Sequence, residues 1–151
     1  MTKVQVKWAK VHPDAFIPRA AYVGDAGVDL VTVEFTVVRP KERKLIPTGL
    51  KVEIPEGYEL QIRPRSGLSL KSPLILTNSP GTIDSTYRGE VRIIVWNSGN
   101  RDYKIFPGMK IAQAVLQKLP EAEHIEVSEN ELSSTERGEK GFGSSGIHAK
   151  R

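Results

Sequence analysis

One segment of the chain, residues 78–90, carries side chains whose types and spacing could do chemistry. It holds a carboxylate, Asp84, and an aromatic ring, Tyr87, after the turn that Pro80-Gly81 marks. Apolar residues alternate over residues 91–95 and predict a strand, so the pattern places Asp84 and Tyr87 at the bend of a β-hairpin. A carboxylate held there could orient a water molecule, and the ring could form the wall of a pocket. Taken alone, the segment is more typical of a structural hairpin, and only the rest of the chain reverses that interpretation.

Four further motifs accompany this segment, and two of them could bind an anion. Arg65 and Ser66 lie at the start of a predicted helix, where free backbone N–H groups favour an anion. Glycines near the C-terminus let the backbone approach a phosphate closely, while serines and an arginine supply hydrogen-bond donors. Taken singly, none of these motifs favours function over an ordinary structural role. The four motifs are Asp25–Leu30 with Asp29, Pro64–Ser69, Gly108–Gln113, and the glycine-rich residues 137–146.

Short strands are predicted to position these motifs. Apolar residues alternate with a period of two in many segments, and Pro or Gly separates many of these, which is typical of an all-β sandwich or barrel. Ile111–Leu116 is predicted as a buried strand, because Pro107-Gly108 and Pro120 leave little room for a helix. One short helix is predicted over Ser66–Lys71, with Ser66 as its N-cap. The other predicted strands are Val4–Trp8, Val28–Val33, Glu34–Val38, Leu45–Ile46, Leu50–Ile54, Tyr58–Arg63, Leu74–Leu76, Val91–Asn97 and Tyr103–Phe106.

The character of the chain changes near residue 128. From there the sequence is polar and rich in glycine and serine, with too few apolar residues to form a core. A single aromatic residue, Phe142, lies between glycines in this stretch. We therefore predict one β domain over residues 1–127 and a flexible C-terminal arm over residues 128–151.

Composition narrows the class of protein and of ligand. The 151 residues include no cysteine and three dispersed histidines, which excludes disulfides, thiolate nucleophiles and a local zinc motif, so any metal is expected to be a hard cation such as Mg²⁺. The N-terminus lacks a signal-peptide pattern and no apolar run reaches the roughly 20 residues that span a bilayer, so we expect a soluble cytoplasmic protein with no membrane partner. Residues 1–120 carry 18 basic and 11 acidic side chains, a balance of +7. Such a basic body is compatible with a nucleotide or nucleic acid, and equally with an ordinary soluble surface.

Together the five motifs resemble the pattern of the trimeric dUTPase family, the dUTP pyrophosphatases. The resemblance runs from about Gly24 to Gly146, with mild departures at Lys110, where the family often has Arg, at Ser145, where Thr is commoner, and at Lys140, where Gly is frequent. It implies a jelly-roll-type β-barrel of the β-clip class that forms a homotrimer with three active sites at subunit interfaces. One subunit would supply the first, second and fourth motifs, another the third, and a further one the tail.

The resemblance also implies a reaction. Asp84 would orient and deprotonate the water that attacks the α-phosphorus of dUTP, giving dUMP and pyrophosphate with Mg²⁺ as cofactor. This activity would limit uracil incorporation into DNA and supply dUMP for dTMP synthesis. Tyr87 would pack under the deoxyribose and exclude a 2′-hydroxyl, and Asn78 would bind the uracil edge together with the backbone at Gly81 and Ile83.

The remaining implied contacts concern the triphosphate and the closing of the tail. Asp29 would act beside the Mg²⁺–triphosphate, either through metal-bound waters or by orienting neighbouring groups. The Phe142 ring would stack on the uracil ring, and Gly143 would also contact the substrate. The phosphates would be held by Arg65, Ser66, Gly67 and Gln113, and the terminal phosphate by Arg137, Ser144 and Ser145.

Two alternatives stay open at the level of sequence. A dCTP deaminase of the same fold carries its catalytic Glu ten residues after the position of Asp84, where this chain has Ile94, which cannot carry a proton. A non-catalytic β module that binds nucleotide or nucleic acid is compatible with the basic body. Aromatic residues are only 7% of the chain and show no spacing typical of a stacking platform, so we expect no stable nucleic-acid partner.

Overall fold

The computed structural model describes residues 3–149, and their regular structure is almost entirely antiparallel β. The helix α1 spans Ser66–Lys71, and a single 3₁₀ turn spans Glu129–Glu131. The strands are β1 (Lys7–Lys10), β2 (Gly27–Val31), β3 (Thr36–Val38), β4 (Arg43–Glu53), β5 (Tyr58–Arg63), β6 (Leu74–Leu76), β7 (Gly81–Asp84), β8 (Glu90–Asn97), β9 (Tyr103–Ile105) and β10 (Lys110–Lys118).

Two four-stranded sheets enclose the core. One sheet has the strand order β1-β4-β8-β6, the other has the order β2-β10-β5-β7, and β3 pairs with β9 in a small third sheet. Apolar side chains from both four-stranded sheets form one buried cluster, which includes Leu30, Ile46, Leu60 and Ile93. Fully burying an aliphatic side chain of this size contributes about 1.5–3 kcal/mol. The predicted all-β fold of jelly-roll type with one short helix is confirmed.

Strand β8 shows how the sequence pattern produces this core. Its buried residues alternate with more exposed ones, because successive side chains of a strand point to opposite faces. Val91, Ile93 and Val95 therefore face the core and are at most 1% exposed. Arg92 and Ile94 lie on the opposite face of the strand.

Pro47 and Gly49 do not separate two strands, and our prediction of separate strands over Leu45–Ile46 and Leu50–Ile54 was wrong. Both segments belong to β4, whose pairing with β8 shifts register between Pro47 and Lys51. Gly49 has a left-handed φ of +66°, which glycine adopts without the strain of a side chain. Two hydrogen bonds that involve side chains join β4 to β8 at this point. Thr48 Oγ1 donates to the Val91 carbonyl at 2.6 Å, and Glu90 Oε1 accepts from the Gly49 N–H at 2.9 Å. Pro47 and Gly49 therefore mark a β-bulge within β4 rather than the end of a strand.

The hairpin predicted around Asp84 is the correction that matters most for the site. Residues 81–84 form β7, a strand that we did not predict, and it pairs with β5, where Glu59 lies opposite Asp84. The next strand, β8, belongs to the other sheet, and β7 and β8 do not pair with each other within residues 3–149. Residues 85–89 therefore cross from one sheet to the other, and Asp84 ends a strand at the start of that crossing.

The remaining differences are local. Helix α1 has the predicted bounds, but its N-cap is Arg65, which has extended dihedral angles, and Ser66 is the first helical residue and makes no capping bond. Strand β1 lies further along the chain than the predicted Val4–Trp8. Compared with the predictions, β2 begins one residue earlier and ends two residues earlier, β3 begins two residues later, and β9 ends one residue earlier.

Packing divides the chain into two units, one up to Glu121 and one from Ala122. The second unit contains the 3₁₀ turn, where the Ser128 and Glu131 side chains form a capping box. None of residues 122–149 is buried. The domain boundary that we placed after residue 127 stays a prediction. No helix among the described residues is long and apolar enough to cross a membrane.

Candidate active site

A cavity of about 490 Å³ opens beside the crossing from β7 to β8. The lining includes every residue that the sequence assigned to the third motif: Asn78, Gly81, Ile83, Asp84 and Tyr87. Since β7 is held in register by β5, these side chains and the strand backbone face a common space.

Asp84 presents an accessible carboxylate to this cavity. The residue is exposed, and its main-chain carbonyl accepts a hydrogen bond from the Tyr87 N–H at 3.1 Å, which closes a tight turn. Its carboxylate makes no hydrogen bond or ion pair with any other side chain in residues 3–149. Both oxygens are therefore available to accept a proton or to orient a water molecule.

Tyr87 forms one wall of the same cavity. Its hydroxyl donates a hydrogen bond to the Glu90 carbonyl at 3.0 Å, and its N–H is held by Asp84. The side chain is thus anchored at the backbone and at the tip of the ring. It is nevertheless 45% exposed, so much of the ring remains free for a ligand.

Asn78 lies at the other side of the cavity, next to the cis peptide bond between Ser79 and Pro80. Its side chain is exposed, and its amide provides both a donor and an acceptor. Gly81 and Ile83 are buried in β7, opposite Ile62 and Leu60 of β5. The amide therefore faces a rigid strand.

A second cavity, of about 390 Å³, collects the predicted residues of the first, second and fourth motifs. Two of them are cross-strand neighbours, because Gln113 of β10 lies directly opposite Asp29 of β2. The Gln113 Nε2 atom donates to the Pro64 carbonyl at 3.0 Å and so ties β10 to the turn before α1. The predicted residues in this cavity are Asp29, Arg65, Ser66, Gly67 and Gln113.

Asp29 is held between two cations in this cavity. Its Oδ1 lies 2.8 Å from Arg65 Nε and its Oδ2 lies 2.8 Å from Lys110 Nζ, and its side chain is 25% exposed. Arg65 Nη1 also donates to the Lys110 carbonyl at 3.3 Å, which leaves Nη2 without a protein partner among the described residues. Partial burial raises the pKa of Asp29, but the hydrogen bond from Lys110 and the charges of Arg65 and Lys110 together hold it below its usual range. Asp29 is thus an ionised anchor that orients Arg65.

The described residues offer no preformed metal site. They contain no group of three His, Cys, Asp or Glu side chains that could hold a metal ion. Both carboxylate oxygens of Asp29 are already engaged by cations. These residues therefore do not fit a Mg²⁺ ion that is bound directly by the chain.

The two cavities have no lining residue in common. The fold gathers the third motif beside the crossing and the first, second and fourth motifs around Asp29. Within one chain, Asp84 therefore lies in the first cavity, whereas the hydrogen-bond donors of Arg65 and Gln113 lie in the second.

The predicted residues of the tail lie in the second unit and are exposed. Arg137 Nε donates to the Lys140 carbonyl at 2.8 Å and Ser144 N–H donates to the Gly141 carbonyl at 3.0 Å, so residues 137–146 form successive turns. Phe142 is fully exposed and has a φ of +48°. Gly143 and Ser145 are likewise exposed.

The sequence assigned no role to Glu90 and Arg92, which line the first cavity, or to Lys110, which pairs with Asp29 of the second. Glu90 lines the first cavity, where its Oε2 pairs with Arg92 Nε at 2.8 Å and its Oε1 holds the bulge of β4. Glu90 and Arg92 are two residues apart on a strand, which places both side chains on one face, and this spacing could have indicated their ion pair. Lys110 was visible only as a departure from the family, and its ion pair with Asp29 depends on the pairing of β10 with β2.

Comparisons with known proteins agree with this geometry. A family model described as dUTPase matches residues 14–146. The deoxyuridine 5′-triphosphate nucleotidohydrolase of Clostridium novyi (strain NT) is 50% identical over 138 residues, which cover 91% of this chain and 96% of the relative.

Two solved structures extend the likeness to three dimensions. The Staphylococcus bacteriophage 80alpha dUTPase with dUPNHPP superposes with a TM-score of 0.83 at 31% identity, over 95% of this chain and 99% of that chain. A mutant dUTPase from phage phi11 of S. aureus, described with a structural Mg(II) ion, gives a TM-score of 0.74 at 28% identity, over 83% of this chain and 99% of that chain. The predicted family, fold and enzyme class, dUTP diphosphatase, are therefore confirmed. The chain belongs to the dUTPase family.

Proposed function

We propose that the chain hydrolyses dUTP to dUMP and pyrophosphate, with Asp84 as the base that activates water. The single observation that carries this proposal is an accessible carboxylate, unpaired among the described residues, in one cavity with Asn78 and Tyr87. The water oxygen bonds to the α-phosphorus as its proton passes to Asp84, and the bond to the bridging oxygen breaks so that pyrophosphate leaves. Removal of dUTP in this way limits uracil incorporation into DNA and supplies dUMP for dTMP synthesis.

Selectivity for deoxyuridine follows from the walls of the first cavity. The Tyr87 ring lies under the sugar and leaves no space for a 2′-hydroxyl, while the Asn78 amide pairs with the adjacent carbonyl and N–H of uracil. The backbone at Gly81 and Ile83 completes the base contacts. The 80alpha dUTPase solved with dUPNHPP supports a deoxyuridine nucleotide as the ligand class.

The second cavity binds the phosphates in this proposal. Ser66, Gly67 and Gln113 supply neutral donors, and Arg65 supplies a charged one from its unengaged Nη2 atom. Because Asp29 and Lys110 fix the rest of the guanidinium, Arg65 needs little reorganisation when the triphosphate arrives. A positive charge held in place in this way stabilises the negative charge that develops on the phosphates in the transition state.

Magnesium enters this scheme with the substrate, as the Mg²⁺–dUTP complex. Mg²⁺ prefers phosphate oxygens and water as ligands, and it neutralises part of the triphosphate charge when bound. The engaged oxygens of Asp29 support a role in orienting Arg65 rather than a direct bond to the metal. The phi11 relative, described with a structural Mg(II) ion, supports a magnesium requirement in this family.

A homotrimer unites the two cavities in this proposal, with motifs one, two and four from one subunit, motif three from a second and the tail of a third. The separation of the cavities in one chain supports it. So does an apolar strip on the outer face of the β1-β4-β8-β6 sheet, where Leu45 is 51%, Ile75 47% and Ile94 36% exposed. Arg137, Ser144 and Ser145 clamp the terminal phosphate and Phe142 stacks on the base when the tail closes.

Subunit complementation tests the shared site directly. Asp84→Asn and Arg65→Ala chains are each prepared as inactive proteins, then unfolded together, refolded and assayed. A site between subunits regains an intact Asp84 from one chain and an intact Arg65 from the other in about one case in four on random mixing. Two Asp84→Asn preparations treated in the same way are the control. Mixed samples that stay as inactive as the control would refute the shared site.

A nucleotide panel tests the reaction itself. Pyrophosphate release is measured with dUTP, UTP, dTTP and dCTP, with and without Mg²⁺, and ammonia is measured with dCTP. We expect release from dUTP with Mg²⁺ and little from the other three. Ammonia from dCTP would indicate the deaminase instead, although Ile94 lines the first cavity where that enzyme needs a Glu. Binding without turnover of any nucleotide would indicate a non-catalytic module.

A further inference from the structure

Gly89, in the crossing between the sheets, lies in contact with the ring of Tyr87. A Cβ atom on Gly89 would overlap the Tyr87 hydroxyl oxygen and Cζ, and would stand 2.9 Å from Cε2. The three nearest atoms all belong to the Tyr87 side chain, so the severe overlaps are with this residue. Backbone conformation does not explain the glycine, because Gly89 is not among the residues with a left-handed φ.

The Tyr87 ring has little freedom to yield to such a side chain. Its hydroxyl is bonded to the Glu90 carbonyl at 3.0 Å and its N–H to the Asp84 carbonyl at 3.1 Å. Both bonds are made within the same short turn, so the hydroxyl end of the ring is drawn across the backbone at Gly89. A ring displaced by a methyl group at this position would lose the bond to Glu90.

The other glycines at the two cavities place different demands on their neighbours. A Cβ on Gly67, in the phosphate cavity, would meet no atom within 4 Å. On Gly81, in the same cavity as Tyr87, it would lie 3.2 Å from Asn78 Nδ2 and 3.3 Å from Ile62 Cβ, which small shifts can relieve. On Gly27, which lines the second cavity, it would lie 2.3 Å from Gln113 Oε1, the far end of a flexible side chain. Of these four glycines, only Gly89 would place a Cβ on the aromatic ring of a residue that lines a cavity.

We propose that Gly89 is a positioning residue that seats Tyr87, and that it thereby sets selectivity at the 2′ position of the nucleotide sugar. The proposal rests on the proposed role of Tyr87 as the wall that excludes a 2′-hydroxyl. Because the missing side chain lets the ring lie against the backbone, the ring holds one fixed position beneath the sugar. Discrimination by exclusion depends on such a fixed wall.

The test measures the ratio of kcat/KM for dUTP to kcat/KM for UTP in a set of variants. Gly89→Ala is expected to lower this ratio about 10-fold or more, in the same direction as Tyr87→Ala. Adding Gly89→Ala to Tyr87→Ala is expected to change nothing further, since the ring that the added Cβ would overlap is gone. Thr86→Ala, an exposed change in the same turn, is the matched control and should keep the wild-type ratio.

A structural measurement separates failure of this proposal from failure of the role given to Tyr87. The chain has four tyrosines, so fluorotyrosine labelling gives a simple ¹⁹F spectrum in which Tyr87→Phe identifies one resonance. Gly89→Ala should shift that resonance and leave the others in place. An unmoved resonance, or a Gly89→Ala ratio equal to wild type while Tyr87→Ala lowers it, would overturn the proposal. If Tyr87→Ala itself leaves the ratio unchanged, the role of Tyr87 at the sugar is wrong and the proposal falls with it.

Folding of the variants gives a last check. If Gly89→Ala fails to fold, the overlap with Tyr87 can be the cause only if removing the ring restores folding. The double variant Gly89→Ala with Tyr87→Ala should then fold. Thermal unfolding followed by circular dichroism decides the point. A double variant that also fails to fold would show that Gly89 serves the backbone rather than the ring, and would refute the proposal.

Discussion

Replacing Asp84 with Asn tests the proposed base with the smallest possible change of shape. The amide matches the carboxylate in size, and the Asp84 side chain makes no bond to another side chain among the described residues that the change could break. Stability should therefore change little, since exposed substitutions of this kind usually stay within about 0.5 kcal/mol. Turnover should fall, because an amide does not accept the proton of the attacking water.

The expected loss can be stated as a barrier. A positioned base contributes about 10²–10⁴-fold, and each tenfold change in rate corresponds to about 1.36 kcal/mol. Asp84→Asn should therefore raise the activation free energy by about 2.7–5.4 kcal/mol. The fold, the assembly and the affinity for a non-hydrolysable dUTP analogue should stay as in the wild type.

Three measurements on one preparation check this expectation: single-turnover pyrophosphate release, calorimetric titration with the analogue, and thermal unfolding. Asp102→Asn, another exposed aspartate that lies outside both cavities of the candidate site, is the matched control and should behave as wild type. A folded Asp84→Asn protein that turns over within about threefold of the wild type would refute the assignment of the base, because the expected rise in the activation free energy allows no such residual rate.

Three further perturbations concern the phosphate cavity and the tail. Deleting the chain after Ser134 should lower turnover about 100-fold, while light scattering should show the same number of subunits per assembly. Phe142→Ala should reproduce part of the loss of turnover. Full activity of the truncated protein would show that the tail is only a linker. Lys110→Ala should raise KM about 10-fold by loosening Asp29 and with it Arg65, and Lys110→Arg should restore it; equal defects in both variants would contradict the anchoring role. The pKa of Asp29 is depressed in the folded state, so its ion pairs stabilise the fold above its ordinary value of 3.8 and that contribution is lost as the pH falls further. The difference in unfolding free energy between wild type and Asp29→Asn should therefore be constant above about pH 5 and shrink below about pH 4, and a difference that grows in acid would have the wrong sign.

The strands that could be predicted well are those with one buried face and clear ends. Strands β5 and β6 have the bounds that the sequence predicted, and β8 differs by one residue. Buried and more exposed residues alternate along each of them, and in β5 this follows an alternation of apolar and polar side chains, which is local information. Turn residues on either side then fix where the strand ends.

The crossing at Asp84 could not be predicted, because it depends on which distant strand each neighbour joins. A Pro-Gly turn followed by alternating residues fits a hairpin and a connection between sheets equally well. The choice is made by β5, which pairs with β7, and by β4 and β6, which pair with β8. Sequence pattern therefore located Asp84 and Tyr87 correctly as neighbours but assigned them the wrong supersecondary structure.

The charge network around Asp29 was hidden for a related reason. Its partners, Arg65 and Lys110, come from distant parts of the chain and meet because β10 pairs with β2, with Gln113 opposite Asp29. The five motifs indicated that these residues belong to one function. They did not indicate that the carboxylate is already neutralised by two cations, which is what argues against a direct bond to magnesium.

Electrostatics supplies a reason for keeping the proposed base and the proposed phosphate donors on different elements. A carboxylate close to a triphosphate is driven toward its protonated form by the negative charge, and a protonated Asp84 cannot act as a base. Arg65 offsets that charge only if its guanidinium faces the phosphates and not the base. The ion pair with Asp29, which Lys110 completes, fixes the guanidinium in the phosphate cavity, whereas Asp84 keeps no cationic partner among the described residues. In the proposed assembly the two cavities meet with Arg65 held toward the phosphates and Asp84 unpaired. The phosphate charge is then partly neutralised, while Asp84 stays free to accept the proton.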